Sequence, residues 1–138
     1  MLKKLHHVGI IGEDFERAVE RFKRFGLACE ELIDNKEAGV KIAFLRTGDF
    51  MLELISHTRP DSGEDPVTSL IRSRKGTINH ICFEVDDLEA AIQDFERNGA
   101  KLVKGCPRTG AYGRTAFFYP DTTEDVLIQL YEVLKEKI

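Results

Sequence analysis

The second half of this 138-residue chain repeats the first half at a constant offset of 73 positions. The segment LHHVGIIGEDFERAVERFKRFG, which starts at Leu5, aligns with INHICFEVDDLEAAIQDFERNG, which starts at Ile78. Two further matches follow: residues 43–45 with 116–118 and, after three extra residues in the second copy, 52–54 with 128–130. A repeat of this kind indicates that one supersecondary unit is built twice and that the two copies bury their apolar faces together.

Each copy begins with a pattern typical of a strand followed by a helix. Leu5–Ile11 and Ile78–Val85 alternate as half-buried strands do, and the apolar residues that follow them recur at helical spacing. Aspartates stand where each helix should begin, at Asp14 and in the pair Asp86-Asp87, and they can cap the first turn. A glycine stands where each helix should end. These are Gly26 and Gly99.

Three short strands are expected after each helix, so the repeated unit is predicted to be βαβββ. In the first copy they are Ala28–Ile33, Lys41–Arg46 and Phe50–Ser56, with a hairpin turn at Gly48-Asp49. The chain is therefore predicted to be one α+β domain, 1–138. It has a first module over about residues 4–57, a connector over 58–76 with a short helix at Val67–Ser73, and a second module over 77–134.

The composition excludes several classes of partner. The 20 basic and 24 acidic residues are interspersed along the chain, so there is no basic stripe for nucleic acid. The longest apolar run is far shorter than the ~18 residues of a membrane span, so no membrane partner is expected. Cys29, Cys82 and Cys106 form no close pair in the sequence, which suits free thiols in the cytoplasm.

Strand alternation places four polar side chains on one side of the sheet. Aliphatic residues flank each of them and are expected to pack under the helices, so the polar side chains point the other way. They are His7, Glu53, His80 and Gln129. A lone histidine in a strand is more often structural than a ligand, but here two imidazoles, a carboxylate and an amide occupy repeat-equivalent positions. This set predicts a site for one divalent metal ion: Zn²⁺, Co²⁺, Ni²⁺ or Mn²⁺. His6 and His57 are expected to be surface histidines.

The chain resembles the vicinal oxygen chelate superfamily of glyoxalases, bleomycin-resistance proteins and dioxygenases, and within it the methylmalonyl-CoA epimerase family. The segments that carry the resemblance are LHHVGI, EAGVKIAFL, GDFMLELI, INHICFEVDDLEAAI, PRTGAYGRTAF and VLIQLYE. The resemblance implies an open, cup-shaped mixed sheet around a metal site, with ligands at His7, Glu53, His80 and Gln129. It also implies a homodimer and proton-transfer carboxylates at the positions of Glu37 and Gln129.

The resemblance implies a metal-dependent isomerase or lyase that moves a proton next to a carbonyl, acting on an acyl-CoA. A glyoxalase I-like lyase acting on a glutathione hemithioacetal is an alternative, and a small-molecule or antibiotic-binding protein, which needs no base, is another. The sequence departs from the epimerase pattern at Gln129, where those enzymes carry Glu, so the predicted catalytic carboxylates are Glu53 and Glu37. A second departure is the acidic loop Pro120–Asp125, which would repel an anionic CoA if it lay nearby.

Overall fold

The computed structural model describes residues 2–74, 78–109 and 113–133. Within these ranges the chain forms eight strands, three α-helices and one turn of 3-10 helix. In chain order they are β1 (Leu2–Ile11), α1 (Phe15–Arg24), β2 (Ala28–Asn35), β3 (Val40–Thr47), β4 (Phe50–His57), α2 (Pro66–Ser73), β5 (His80–Val85), α3 (Leu88–Arg97), β6 (Arg108–Thr109), β7 (Gly113–Phe117), the 3-10 turn Pro120–Thr122, and β8 (Ile128–Val133).

All eight strands belong to one mixed sheet in the order β2-β3-β4-β1-β5-β8-β7-β6. Within each copy the first strand pairs in parallel with the last, β1 with β4 and β5 with β8. The two copies join through antiparallel pairing of β1 with β5 at the centre of the sheet. The predicted fold class is confirmed: the chain is an α+β protein whose eight strands form a curled half-barrel.

Helices α1 and α3 pack on one face of the sheet, whereas α2 lies on the other side, where its Thr68 and Ile71 face the same cavity as Phe117 of β7. Phe15, Ala18, Val19 and Phe22 of α1 pack with the buried Ala43, Leu45 and Leu54. Leu88, Ala91, Ile92 and Phe95 of α3 pack with the buried Ala116, Phe118 and Leu130. Burying each large apolar side chain stabilises the fold by about 1.5–3 kcal/mol. This packing leaves the opposite face of the four central strands free for polar side chains.

The predicted helix ends are confirmed. The carboxylates of Asp14 and Asp87 accept hydrogen bonds from the backbone N–H groups of Arg17 and Ala90, both at 3.1 Å. Gly26 and Gly99 follow the last helical turns with φ of +102° and +97°, a conformation that glycine adopts without strain.

The second copy departs from the first in its second strand. The repeat places the counterpart of β2 at residues 101–108, but β6 contains only Arg108 and Thr109, and Leu102 forms an isolated bridge with Phe118. Gly105 has a φ of +97°, and Pro107 has no N–H to offer the ladder, so the strand is interrupted. The predicted module boundaries at residues 76, 77 and 134 lie outside the described residues.

The connector contains the helix predicted for it. Helix α2 starts one residue earlier than expected, at Pro66, and Asp65 caps it by accepting from Val67 N at 3.2 Å. Asp65 also receives two hydrogen bonds from Arg108, at 2.8 and 3.0 Å, which tie the connector to β6. In the described part of the chain, no helix has the length and apolar character needed to span a membrane.

Candidate metal and active site

The four predicted metal ligands lie on the four central strands of the sheet: Glu53 on β4, His7 on β1, His80 on β5 and Gln129 on β8. Gly9 pairs with both Glu53 and His80, and Cys82 pairs with both His7 and Gln129. Paired residues in neighbouring strands point to the same side of a sheet. The register therefore brings the four side chains together on the face opposite α1 and α3.

Four side-chain atoms meet at one point, which we name the four-atom cluster: His7 Nε2, His80 Nε2, Glu53 Oε1 and Gln129 Oε1. His7 Nε2 lies 3.2 Å from His80 Nε2, 3.1 Å from Gln129 Oε1 and 3.4 Å from Glu53 Oε1. His80 Nε2 lies 3.2 Å from the same Glu53 oxygen. The structure thus brings together all four residues that the repeat singled out, while their role as metal ligands stays a prediction.

The cluster is shielded from solvent, which sets the charges of its members. His7, His80 and Gln129 are 4%, 2% and 9% exposed. Burial lowers the pKa of His7 to about 4, so the imidazole is neutral near pH 7. Burial alone would raise the pKa of Glu53, but the facing histidines outweigh it and lower that pKa, so Glu53 is a carboxylate. Neutral imidazole and ionised carboxylate are the forms that bind metal ions.

The Gln129 amide is held with its oxygen toward the cluster. Gln129 Nε2 donates to Thr115 Oγ1 at 2.8 Å, and the Thr115 hydroxyl donates in turn to the Leu130 carbonyl at 2.9 Å. Because the hydroxyl proton is used on Leu130, the threonine oxygen can only accept from Gln129. Thr115 therefore determines that Gln129 presents an acceptor, and not an N–H group, to the histidines.

The ring of His80 is oriented in a similar way by its neighbour Asn79, which is 2% exposed. Asn79 Nδ2 donates to the carbonyls of Ile71 and Arg74, both at 2.8 Å, so both amide protons are used. Its oxygen lies 2.8 Å from His80 Nδ1 and can only accept. His80 Nδ1 therefore carries a proton, which leaves Nε2 as the ring nitrogen that can direct a lone pair into the cluster.

His6 does not behave as predicted. It is half-buried, and its Nδ1 lies 2.8 Å from the Nδ1 of His7. Its ring also contacts Tyr131 edge-on, with centroids 4.8 Å apart. The prediction of a surface histidine was wrong because β1 bulges between Leu5 and His7, and a bulge changes the direction of a side chain that strict alternation would place elsewhere.

Gly9 and Cys82 are repeat-equivalent residues that lie between the ligand candidates. A methyl group on Gly9 would overlap the His80 ring, so only glycine leaves room for that histidine. Cys82 is fully buried, and burial raises the pKa of its thiol well above the usual value, which keeps it protonated. It is a free thiol, as are Cys29 and Cys106, in line with the prediction.

A cavity of about 210 Å³ opens from the cluster, with Glu53, His80 and Gln129 in its wall. The rest of the wall is mainly apolar and includes Ala38, Val40, Ile42, Thr68, Ile71 and Phe117.

Glu37 lies in the exposed turn between β2 and β3, next to Ala38 of this wall. The acidic loop contacts the end of α2, where Arg74 Nη2 donates to the carbonyl of Asp125 at 2.9 Å.

The spacing and protonation of the cluster fit a cation. Ligand atoms about 2.0–2.2 Å from one metal ion lie roughly 3.0–3.5 Å apart, and the four distances given above fall in this range. The two oxygens only accept, and His80 Nε2 has a lone pair when the ring is neutral. In that case His7 Nε2 is the only one of the four facing atoms that can carry a proton and donate a hydrogen bond. A divalent ion held by all four would satisfy them at once.

The chain as a whole matches a known group of proteins. The model of the glyoxalase/bleomycin resistance protein/dioxygenase superfamily matches residues 6–118, and the chain belongs to that superfamily. The resemblance predicted from the repeat and its flanking motifs is confirmed.

Three similar proteins belong to a narrower group within this superfamily. The mitochondrial methylmalonyl-CoA epimerase of Homo sapiens is 30% identical over 132 residues, covering 94% of this chain and 73% of that protein. The ethylmalonyl-CoA/methylmalonyl-CoA epimerase of Cereibacter sphaeroides is 28% identical over 137 residues, covering 96% of this chain and all of that one. A methylmalonyl-CoA epimerase solved in complex with methylmalonyl-CoA and NH4⁺ superposes with a TM-score of 0.79 at 25% identity, covering 98% and 97% of the two chains. The chain is an enzyme that resembles these epimerases.

Proposed function

We propose that this enzyme moves a proton on the carbon next to a thioester carbonyl, with a divalent metal ion in the four-atom cluster and a CoA thioester such as methylmalonyl-CoA as substrate. The observation that carries the proposal is the convergence of two imidazole nitrogens and two side-chain oxygens at ligand spacing beside a cavity. The named activities of the relatives in Homo sapiens and Cereibacter sphaeroides support the substrate class.

His7, His80, Glu53 and Gln129 would hold the ion, which is Zn²⁺, Co²⁺, Ni²⁺ or Mn²⁺ by the chemistry of its ligands. Two neutral imidazoles, one amide and one carboxylate leave a net charge of about +1 at an occupied site. When bound, the ion supplies Lewis-acid stabilisation of the negative charge that develops as a proton leaves carbon. A fully neutralised site would offer less of this stabilisation.

Glu53 is the first base that we assign. Its Oε1 faces both histidines, so Oε2 is the oxygen assigned to the substrate proton. Its lowered pKa keeps it ionised at neutral pH and therefore able to accept that proton. Gln129 cannot accept a proton on its amide, so its role is limited to binding and orientation.

Glu37 is assigned as the second base. An epimerase must remove the proton from one face of the carbon and return it to the other, which favours two groups. Glu37 adjoins Ala38, a residue of the cavity wall, and this proximity supports the assignment. Its exposed position in a turn suits a side chain that reaches the substrate from the solvent side of the cavity.

The test is deuterium exchange followed by NMR. Purified protein is analysed for bound metal, stripped with a chelator, reloaded with each of the four ions and incubated with one epimer of methylmalonyl-CoA in D2O. We expect about one ion per chain and metal-dependent loss of the signal from the proton at C2, with formation of the other epimer. A Glu96→Gln variant, altered on the exposed surface of α3, is the control for Glu53→Gln. Full exchange by metal-free protein, or by Glu53→Gln, would contradict the proposal.

A glyoxalase I-like activity is the second candidate, since the cluster contains one carboxylate, Glu53, with an amide at the mirror-related position. Isomerisation of a hemithioacetal moves the proton to the neighbouring carbon, and one base on one side suffices for that. The same NMR experiment with the hemithioacetal of methylglyoxal and glutathione distinguishes the two. Turnover of this compound together with no exchange in methylmalonyl-CoA would favour the lyase.

Three further features belong to the proposal. We infer that the two modules work as one functional domain, because the site takes two residues from each. A cytoplasmic location and a homodimer are proposed from the sequence and its resemblance.

A further inference from the structure

The two histidines of the cluster are each preceded by a polar residue that contacts the far side of the imidazole ring. His6 Nδ1 lies 2.8 Å from His7 Nδ1, and Asn79 Oδ1 lies 2.8 Å from His80 Nδ1. His6 and Asn79 are 73 positions apart, so they are equivalent in the repeat. The same kind of contact thus occurs in both halves of the chain, made by two different residue types.

We propose that His6 and Asn79 are a pair of positioning residues that hold the Nε2 lone pairs of His7 and His80 toward the four-atom cluster. Neither touches the cluster atoms themselves. The metal-binding part of this inference rests on the proposed function, whereas the effect on ring protonation is a property of the metal-free protein as well.

The role of Asn79 follows from counting the hydrogen-bond donors and acceptors of its side chain. Both amide protons of Asn79 are donated to carbonyls at the end of α2, so only its oxygen is left for the histidine. The backbone N–H of Asn79 is also bound, to Gly9 O at 2.6 Å on β1. The residue is therefore fixed by two neighbouring elements, and it can hold His80 only in forms that carry a proton on Nδ1.

The role of His6 follows from the same count of hydrogen-bond donors and acceptors for the state in which an ion occupies the cluster. A metal ion on His7 Nε2 requires the proton of that ring to be on Nδ1, which must then donate to an acceptor. His6 Nδ1 is at hydrogen-bond distance and serves as that acceptor when the proton of His6 is on its Nε2. Packing of the His6 ring against Tyr131 limits its rotation.

The repeat allows a test in which the residue that contacts the histidine in one half replaces its counterpart in the other half. His6→Asn gives the first half the residue that works in the second half, and it keeps an acceptor. His6→Leu and Asn79→Leu keep similar volumes without an acceptor. His57→Leu is the matched control for metal affinity. His57 is the fourth histidine of the chain and lies in the wall of the cavity, but none of the described contacts joins it to the cluster atoms.

The first measurement is Co²⁺ affinity by competition with a chromophoric chelator, together with the visible spectrum of the bound ion. Loss of a hydrogen-bond partner behind a ligating histidine weakens metal binding by about 10- to 100-fold. We expect losses of this size in His6→Leu and Asn79→Leu, an altered Co²⁺ spectrum in both, and affinity within about 3-fold of wild type in His6→Asn and His57→Leu. Equal affinity in His6→Leu and wild type, or equal loss in His6→Asn and His6→Leu, would overturn the proposal.

The second measurement needs no metal and no activity. Long-range ¹H–¹⁵N NMR of the metal-free protein reports which ring nitrogen of His80 carries the proton. We expect Nδ1 to be protonated in wild type, and the proton to move to Nε2, toward Glu53, in Asn79→Leu. An unchanged His80 in a folded Asn79→Leu protein would overturn the Asn79 half. If the wild type binds no Co²⁺ yet shows this change, the proposed function fails while the positioning role stands.

Discussion

Gly9 lies directly beneath the imidazole ring of His80, its partner in the antiparallel pairing of β1 with β5. The glycine has no unusual backbone angle, so the reason for it is space: any side chain would overlap the ring. The close approach lets His80 lie flat against β1 with its Nε2 within 3.2 Å of His7. A residue that contributes no atom to the site therefore determines the position of one that does.

Gly9→Ala is expected to displace His80 from the cluster. Forcing an extra methyl group into a packed site costs about 1–3 kcal/mol, and here the ring has to move to make room. We expect at least a 10-fold weaker affinity for Co²⁺, measured by chelator competition, with circular dichroism showing a folded protein. Gly12→Ala is the matched control, since a methyl group at Gly12 meets nothing. Wild-type affinity in Gly9→Ala would show that the ring position does not matter for binding.

The repeat was enough to predict the βαβββ units and the meeting of His7, Glu53, His80 and Gln129. Alternation is a property of the strand backbone, and a repeat fixes which strands correspond, so both can be read without side-chain detail. The interrupted counterpart of β2 was not predicted, because equal spacing does not reveal that Gly105 and Pro107 break the ladder.

The residues that orient the candidate ligands could not be predicted from the repeat and strand alternation. Thr115 acts through the direction of its hydroxyl, and Asn79 acts through the use of both its amide protons on α2, which no spacing reveals. His6 is directed by a bulge that breaks alternation. One signal was available: His6 and Asn79 are both polar and equivalent in the repeat. The hydrogen bonds are needed to interpret that equivalence.

Thr115→Val is expected to release the Gln129 amide. Valine keeps the shape of threonine but cannot accept from Gln129 Nε2, so the amide can turn its N–H group toward the cluster. A buried amide that loses its partner costs about 1–3 kcal/mol, which urea unfolding of the metal-free variant measures. Metal affinity should fall by about 10-fold, whereas the control Thr109→Val, on the exposed edge strand, should change neither quantity. An unchanged affinity would mean that Gln129 orients itself without Thr115.

The Asp65–Arg108 pair is expected to make the connector sensitive to acid. Hydrogen bonds from Arg108 are the main cause that lowers the pKa of Asp65 from its usual 3.8, and Thr68 and the α2 backbone add to it. A folded pKa below the unfolded one means that the stabilisation is present above pH 3.8 and is lost as the pH falls through the folded pKa.

Arg108→Gln should therefore destabilise the protein at pH 6 but not below the folded pKa of Asp65. Both side chains are more than a third exposed, which limits the loss to about 1 kcal/mol or less. Asp65→Ala should cost about 1 kcal/mol more, because it also removes the cap of α2. Urea unfolding across this pH range measures both. A difference between wild type and Arg108→Gln that does not shrink in acid would rule out Asp65 as the group responsible.

The near two-fold arrangement of the cluster allows the single carboxylate to be moved to the other half. Glu53 on β4 and Gln129 on β8 flank the two histidines from opposite sides, each on a strand parallel to the strand of one histidine. Exchanging them in Glu53→Gln/Gln129→Glu keeps the charge, the number of ligands and the volume of the site. Thr115 would then face a carboxylate, which its hydroxyl can bind by donating.

Glu53→Gln alone should lower metal-dependent deuterium exchange in methylmalonyl-CoA by about 10²–10⁴-fold, since the assigned base is lost. The double variant should regain at least 10-fold over Glu53→Gln, because position 129 again carries a carboxylate beside the histidines. Metal content, measured on the same samples, separates loss of base from loss of ion. If both variants hold the ion and exchange equally slowly, a carboxylate at position 129 cannot replace Glu53, and the two halves of the site are not interchangeable in the reaction.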